Sequence, residues 1–138
     1  MTIQYIEQVE NISPKMLSGF FQGWPNPPSP AKHLLILQGS FKVWLAIDSG
    51  DCVGFINAIS DGIFSAFIPL LEVLPEYQGQ GIGTELVRLM QSSLAEQYSL
   101  DVVCDAEVVP FYEKLGYNRL HAMSKRNYQN CVRNVRKS

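Results

Sequence analysis

The sequence predicts one α/β domain over residues 1–138, of the α+β kind. We expect a mixed, mostly antiparallel sheet of about six to seven strands, with a central parallel pair and about four flanking helices. Three apolar segments between residues 41 and 74 are separated only by short turns, which is typical of an antiparallel meander. After residue 83 the apolar period lengthens to about four residues, which indicates an amphipathic helix. The chain is 46 % hydrophobic and 17 % charged, so it can form a packed core.

The first forty residues predict one strand and two helices with a stiff loop between the helices. Ile3–Val9 alternates apolar and polar side chains, as a half-buried strand does. Residues 13–21 predict a helix, because a serine N-cap precedes a proline at the first helical position. Four prolines within residues 25–30 exclude helix interior and central strand there. A second helix is predicted from residue 29 or 30 to about 38, where a glycine follows.

The middle of the chain predicts three strands. Residues 41–47 and 52–59 are apolar and β-branched, and the turn residues Asp48–Asp51 join them. Asp61–Gly62 is a second turn signal, and residues 65–74 form the next strand. These short connections predict antiparallel neighbours.

The last part of the chain predicts helices that alternate with strands. Ile82, Leu86, Met90 and Leu94 share one helical face. A short strand is expected over 100–104, a helix over 107–115 with a glycine after it, and a closing strand over about 119–126. The strand–helix–strand unit from 68 to 104 should cross over right-handedly, which makes its two strands parallel.

Composition and charge limit the classes of function. Three scattered cysteines without a CxxC pair argue against a disulfide framework and against a metal site, and with the absence of a signal sequence or membrane span they predict a cytoplasmic protein. Residues 1–113 carry four basic and thirteen acidic side chains, whereas residues 114–138 carry seven basic and none acidic. The basic tail, about 127–138, either meets an anionic partner or pairs with the acidic body. Neither a nucleic acid nor a membrane is an expected partner.

The glycine-rich turn after Pro75 is the segment most informative about chemistry. It carries glycines at positions 79, 81 and 83 and leads from a buried strand into the long helix. Helix-start amides lack internal acceptors, and glycine lets them approach a ligand closely, so the turn predicts an anion cradle suited to a pyrophosphate. The turn lacks the GK[ST] sequence that ends a P-loop. It also lacks the third glycine of a dinucleotide-binding fingerprint, because position 84 is Thr.

Two motifs together resemble the GNAT superfamily of acetyl-CoA-dependent N-acetyltransferases. The first is Val73-Leu74-Pro75 followed by Gln78-Gly79-Gln80-Gly81-Ile82-Gly83, and the second is Phe111-Tyr112-Glu113-Lys114-Leu115-Gly116-Tyr117. The resemblance covers residues 41–126, which form the motif-bearing core. It implies the GNAT fold, in which the parallel pair of strands splays apart.

The resemblance also implies acetyl-CoA as cosubstrate and a set of residues that hold it. Backbone groups of Val73 and Leu74 would bond the pantetheine arm in the splayed gap. The amide of Leu74 would stabilise the oxyanion. The pyrophosphate would lie on the amides of Gln78, Gly79, Gln80, Gly81, Ile82, Gly83 and Thr84.

Three side chains are candidates for catalysis or acceptor binding, and each has a plainer interpretation. Tyr112 would touch the cosubstrate and protonate the departing thiolate, or it packs as a core aromatic. Glu72 would take a proton from the acceptor amine, or it caps a solvated patch. Trp24 would stack on the acceptor, or it pins the proline-rich loop to the core. No residue is a candidate metal ligand.

The expected function is transfer of acetyl from acetyl-CoA to a primary amine of a small molecule, by direct attack in a ternary complex. The alternatives are a protein N-terminal or lysine acetyltransferase, and a non-catalytic CoA-binding sensor. Few residues follow Tyr117 before the tail. We therefore expect one of two closing strands to be absent or shortened, and a second subunit, in a homodimer, or the tail to fill the open edge.

Overall fold

A computed structural model describes residues 2–129. The basic tail therefore lies, from residue 130 onward, outside the described residues. Within them the chain forms a mixed α/β structure with five strands, three α-helices and three short 3-10 turns. The strands are β1 Gln4–Ile6, β2 Lys42–Asp48, β3 Asp51–Ser60, β4 Ser65–Val73 and β5 Ser99–Val102, and the helices are α1 Pro30–Gln38, α2 Ile82–Ser93 and α3 Val109–Lys114.

The five strands form one sheet in the order β1-β2-β3-β4-β5. The first three pairings are antiparallel and β4 pairs with β5 in parallel, as the short turns and the helical crossover predict. The expected totals of six to seven strands and four helices are too high for the described residues.

The helix predicted over residues 13–21 is wrong beyond its first turn. Only a 3-10 turn, Pro14–Leu17, forms there. Gly19 and Phe21 then take positive φ angles of 91° and 66°, which an α-helix cannot accommodate. The segment instead folds back over the sheet as an irregular loop.

The closing strand predicted over about residues 119–126 is also wrong, since no strand forms in that range. Its large apolar side chains are not covered by any element of the described residues: Leu120 is 83 % exposed and Met123 is fully exposed. A strand gains stability mainly by burying one face against a core, and this segment buries none. The outer edge of β5 therefore has no strand from the described residues beside it.

The second predicted helix forms as expected because both of its ends are capped. The Ser29 side chain accepts a hydrogen bond from the Lys32 amide at 3.1 Å, and Pro30 fills the first helical position. At the other end the Gly39 amide donates to the Leu35 carbonyl at 3.0 Å. Helix α1 therefore has the bounds that its sequence predicts.

Two apolar clusters pack on opposite faces of the sheet. On one face, α2 and α3 cover a cluster that includes Ile56 and Leu86. On the other, α1 and the first 3-10 turn cover a cluster that includes Phe55 and Leu37. Adjacent residues of β3 belong to different clusters, because side chains alternate across a strand.

Gly54 of β3 lets α2 lie very close to the sheet. A Cβ at Gly54 would stand 3.3 Å from both Ile82 Cγ2 and Leu86 Cδ1, and 3.4 Å from the Glu72 carbonyl oxygen. A larger residue at Gly54 would therefore crowd the Ile82 and Leu86 side chains at the start of the helix. The start of α2 is thus fixed against the centre of the sheet and next to the end of β4.

Candidate active site

The sheet opens between β4 and β5. Their pairing ends at Ile68 and Val102, although β4 continues to Val73 beside β3. Opposite Ala58 the register shifts, so that Ile68 and Pro69 of β4 face one residue of β3. Such a bulge bends a strand, and proline has no amide hydrogen with which to continue a ladder. A gap therefore begins where the parallel pairing stops.

Along β4, the backbone N–H and C=O groups of successive residues point alternately toward the gap and toward β3. The Leu74 amide donates to the Val53 carbonyl at 2.9 Å, so this residue faces β3. That pairing contradicts the expected role of the Leu74 amide as oxyanion donor and pantetheine contact, because the amide is already bonded within the sheet. Alternation directs the amides of Leu71 and Val73 to the gap instead. The Gln78 side-chain amide donates to the Val73 carbonyl at 3.0 Å, which agrees with that direction.

The glycine turn lies at the end of this gap and is open to solvent. Gly79 and Gly81 have φ angles of 77° and 86°, which glycine adopts most readily. A Cβ at either glycine would meet no other heavy atom within 4 Å, apart from its chain neighbours. Gly81 is the N-cap of α2 and therefore has no side chain to satisfy the helix amides. We call the backbone of residues 78–84 the glycine cradle.

The amides at the start of α2 are available to a ligand. Within residues 2–129, no hydrogen bond of Ile82, Gly83 or Thr84 amide to another protein group is present, whereas the Glu85 amide donates to the Gly81 carbonyl. Free amides and the helix dipole both favour an anion at this position. The free amides of the glycine cradle thus suit an anion, and pyrophosphate binding there stays a prediction.

Tyr112 is held in place by the end of α3. The Tyr117 amide donates to the Tyr112 carbonyl at 3.1 Å, and the Gly116 amide donates to the Glu113 carbonyl at 3.1 Å. With Gly116 at φ 95°, this is a Schellman motif, and the rings of Tyr112 and Tyr117 meet edge-on at 5.2 Å. The second sequence motif therefore fixes the backbone and the ring of Tyr112.

The Tyr112 phenol keeps its proton at neutral pH. The side chain is only 5 % exposed, and burial raises its pKa well above the usual value, with Cys104 and Tyr117 acting in the same direction. The ring packs in the α2 and α3 cluster, which includes residues at the start of α2. Tyr112 can therefore donate a proton but cannot serve as a base.

Glu72 anchors the loop that follows the first 3-10 turn. Its Oε1 accepts from the Phe21 amide at 2.8 Å, and its Oε2 accepts from the Gln22 amide at 3.2 Å. A positive φ is uncommon for an aromatic residue, and these two bonds help to hold Phe21 in it. Each carboxylate oxygen retains a further acceptor position. Glu72 is thus a loop anchor whose two oxygens can each accept one further hydrogen bond.

Trp24 lies at the edge of the same loop. It is 42 % exposed, and its ring meets Phe21 at 5.0 Å in a T-shaped contact. The backbone of the loop also approaches the end of β4, because a Cβ at Gly19 would stand 3.3 Å from Leu74 Cδ2. The structure thus brings the loop of Trp24 next to Glu72 and the mouth of the gap.

A cavity of about 240 Å³ lies beneath this loop and the start of α1. His33 lines it, is 1 % exposed, and contacts the rings of Phe20, Phe21 and Phe55. Burial lowers the pKa of His33 to about 4, so the ring is neutral at pH 7. Neither ring nitrogen has a hydrogen-bond partner within residues 2–129. An unsatisfied buried polar atom costs about 1–3 kcal/mol, which makes this ring a notable feature of the site.

No group of three His, Cys, Asp or Glu side chains within residues 2–129 has the arrangement of a metal site. None of the helices in that range combines the length and hydropathy needed to cross a membrane.

The family follows from comparison with known proteins. A family model described as an acetyltransferase (GNAT) domain matches residues 9–134. The chain belongs to the GNAT family. A solved structure assigned to the acetyltransferases, from Deinococcus radiodurans R1, is 45 % identical with a TM-score of 0.92, and the match covers 94 % of this chain and 92 % of that one.

Curated relatives of this GNAT chain agree with the family and differ in length. The uncharacterized N-acetyltransferase ycf52 of Pyropia yezoensis is 36 % identical over 101 residues, which are 69 % of this chain and 58 % of the relative. The histone acetyltransferase TAP1 of Glycine max is 36 % identical over 67 residues, which are 47 % of this chain and 29 % of the relative. The match spans only 26 % and 58 % of the first two curated relatives.

Two residues of this GNAT site were missed in the sequence. The direction of the Leu71 amide toward the gap follows from the β3–β4 register, which the residues of β4 alone do not show. His33 has no signal of its own, because its surroundings come from the loop at residue 20 and from β3. The binding roles of Gln78, Gly79, Gln80, Gly81 and Thr84 in the cradle stay predictions.

Proposed function

We propose that this protein transfers acetyl from acetyl-CoA to a primary amine of a small molecule, by direct attack in a ternary complex. One observation carries the proposal: a gap between two parallel strands ends at an open glycine cradle. GNAT proteins use acetyl-CoA as cosubstrate, and the residues here fit it. A narrow arm with amide groups suits the gap, and a pyrophosphate suits the cradle.

Acetyl-CoA supplies an activated acetyl thioester when bound, and the chain's own groups would hold and polarise it. The amides of Leu71 and Val73 point to the gap and are the available donors for the thioester oxygen and the pantetheine arm. The Val73 carbonyl would exchange the Gln78 side chain for a pantetheine amide. The start of α2 would hold the pyrophosphate.

Two side chains would move the protons. The neutral form of the amine attacks, after a cationic acceptor has released one proton to solvent. Its nitrogen forms a bond to the carbonyl carbon while the carbon–sulfur bond breaks. In this step the amine loses one proton and the sulfur gains one. Glu72 accepts the first, directly or through a water, because it lies beside the mouth of the gap and keeps free acceptor positions. Tyr112 donates the second, because burial keeps its phenol protonated.

The acceptor is proposed to be a small cationic amine. Residues 1–113 carry thirteen acidic and four basic side chains, and such a surface attracts cations. A protein lysine or N-terminus is the second candidate, favoured by the likeness to the relative named a histone acetyltransferase. A non-catalytic CoA sensor would need neither the buried Tyr112 phenol nor an acceptor site.

Acetyl-CoA is expected to raise the melting temperature of the protein. At a ligand concentration of about 100 times Kd, the gain is about 2.7 kcal/mol, or roughly 5–10 °C for a domain of this size. NADH and ATP should have much smaller effects. Equal stabilisation by NADH would mean that the glycine cradle does not select CoA.

The amine itself is identified by release of CoA thiol in a panel of small amines, lysine-containing peptides and peptides with free N-termini. Turnover with small amines supports the proposal, and turnover with peptides alone favours the second candidate. Binding of acetyl-CoA without turnover on any member would favour the sensor.

The Glu72→Gln variant separates proton acceptance from loop anchoring. If Glu72 accepts the proton, turnover should fall by about 10²-fold and the acidic limb of the pH–rate profile should disappear. A glutamine oxygen can still accept one of the two amide bonds, so the fold should persist with a lower melting temperature. A lower melting temperature with an unaltered pH profile would leave Glu72 as an anchor only.

A further inference from the structure

The cavity beneath the loop and α1 has a mostly apolar wall, with Ser29 and His33 as its polar side chains. We call it the His33 cavity. Leucine, phenylalanine and proline side chains dominate its lining, and no charged side chain lines it: the main members are Leu17, Phe20, Phe21, Pro27, Pro30 and His33. Its volume of about 240 Å³ exceeds that of a cavity known to hold benzene, roughly 150 Å³. It can therefore receive a compact chemical group.

The ring nitrogens of His33 are the unexplained feature of this cavity. Both are buried, and neither has a partner within residues 2–129. The surrounding rings of Phe20, Phe21 and Phe55 meet the imidazole at centroid distances of 4.3–5.4 Å and offer no oxygen or nitrogen. Buried polar atoms in proteins almost always have a hydrogen-bond partner. The ring nitrogens therefore lack a partner that a group entering the cavity can supply.

The His33 cavity is next to the proposed site of transfer. Phe21 lines the cavity, and its amide is bonded to Glu72 at 2.8 Å. Gly19 also lines it and lies against Leu74 at the end of β4. A molecule whose amine lies near Glu72 can thus place another part of itself under the loop.

We propose that the His33 cavity is a specificity pocket for the acceptor, which receives a compact uncharged group with a hydrogen-bonding oxygen, and that His33 recognises this oxygen. The assignment to the acceptor rests on the proposed function; the binding chemistry of the cavity does not.

The hydrogen-bonding capacity of the His33 ring determines which chemical group the cavity can bind. Because burial lowers the pKa of His33 to about 4, the neutral ring offers one N–H donor and one acceptor nitrogen. A hydroxyl or a primary amide can satisfy both. A carboxylate or an ammonium would lose its hydration in a pocket whose described lining carries no opposite charge. The pocket therefore distinguishes acceptors by a neutral polar group and not by a second charge.

Nuclear magnetic resonance of the histidine rings tests the proposal without any acetyl transfer. The chain has two histidines, and His121 is exposed and serves as internal reference. Four probes of similar size are titrated into the full chain: benzyl alcohol, toluene, benzoate and benzylammonium. Benzyl alcohol should shift the His33 ring resonances saturably and leave those of His121 unchanged. Toluene should bind roughly tenfold more weakly, because it offers no hydrogen bond.

Two kinds of result would overturn the proposal. One is tighter binding of benzoate or benzylammonium than of benzyl alcohol. The other is a His33 signal typical of a hydrogen-bonded ring that none of the probes displaces, which would make a structural water the partner.

The His33→Phe variant is the matched control, since it keeps an aromatic ring and removes both nitrogens. In this variant, the roughly tenfold preference for benzyl alcohol over toluene should vanish. The wild-type protein should also acetylate hydroxyl-bearing amines faster than plain alkyl amines, and the variant should lose this difference. Unchanged preferences would contradict the role of His33. If the probes bind the wild-type protein as expected but acetyl-CoA does not stabilise it, the proposed function is contradicted. The binding chemistry of the His33 cavity is then still supported.

Discussion

The Tyr112→Phe variant is expected to lose turnover by roughly 10²- to 10⁴-fold while it still binds acetyl-CoA. The change removes one oxygen and keeps the ring that packs against Tyr117 within the Schellman motif. The lost interaction exists mainly in the transition state, so amine affinity should change little. Turnover with a confirmed amine and the melting shift with acetyl-CoA measure the two quantities separately. An acyl donor with a more acidic thiol should recover part of the rate.

The Tyr117→Phe variant is the control for this experiment. The Tyr117 hydroxyl is also buried, and the Tyr117 ring adjoins that of Tyr112 at 5.2 Å. Loss of that hydroxyl should leave turnover close to the unmodified rate. If Tyr112→Phe and Tyr117→Phe have the same turnover, the Tyr112 phenol is a packing group, and water or the amine must protonate the sulfur.

The Gly81→Asn variant is expected to weaken acetyl-CoA binding by roughly 10²-fold or more. Asparagine tolerates a positive φ better than other residues, so the backbone at 86° can persist. Its side chain would stand in the open space of the glycine cradle and displace the pyrophosphate from the helix amides. Two lost bonds to a charged phosphate, at about 1.5–3 kcal/mol each, account for that loss. Calorimetric titration with acetyl-CoA measures it.

The Gly50→Asn variant provides the matched control, because Gly50 has a φ of 85° and also has open space at its Cβ position. It lies in the turn between β2 and β3. Both variants should therefore incur a similar backbone cost, and only Gly81→Asn should affect acetyl-CoA. Equal affinities in the two variants would show that the cradle does not hold the pyrophosphate.

The sequence predicted best those elements that are determined by local chemistry. The serine cap and proline of α1, the turn at Asp48–Asp51 and the four-residue apolar period of α2 all lead to elements with nearly the predicted bounds. The glycine cradle also follows from local chemistry. These features depend on residues that are close in sequence.

Errors arose where distant contacts decide the conformation. The segment after residue 17 leaves the helical path because Glu72, fifty residues away, binds its amides and its aromatic rings pack around His33. Residues 119–126 have strand-like composition but find no face to cover. The pairing of the Leu74 amide depends on the β3–β4 register, which the residues of β4 alone cannot show.

The close approach of α2 to Gly54 has a consequence for the thermodynamics of binding. The helix start cannot swing away from the sheet without opening a void against β3, so the cradle is preorganised. The conformational entropy of these backbone groups is therefore lost once, during folding, and not at each encounter with the ligand. In the proposed site, phosphate recognition would therefore be rigid, and adaptation to different acceptors would belong to the loop that Glu72 holds.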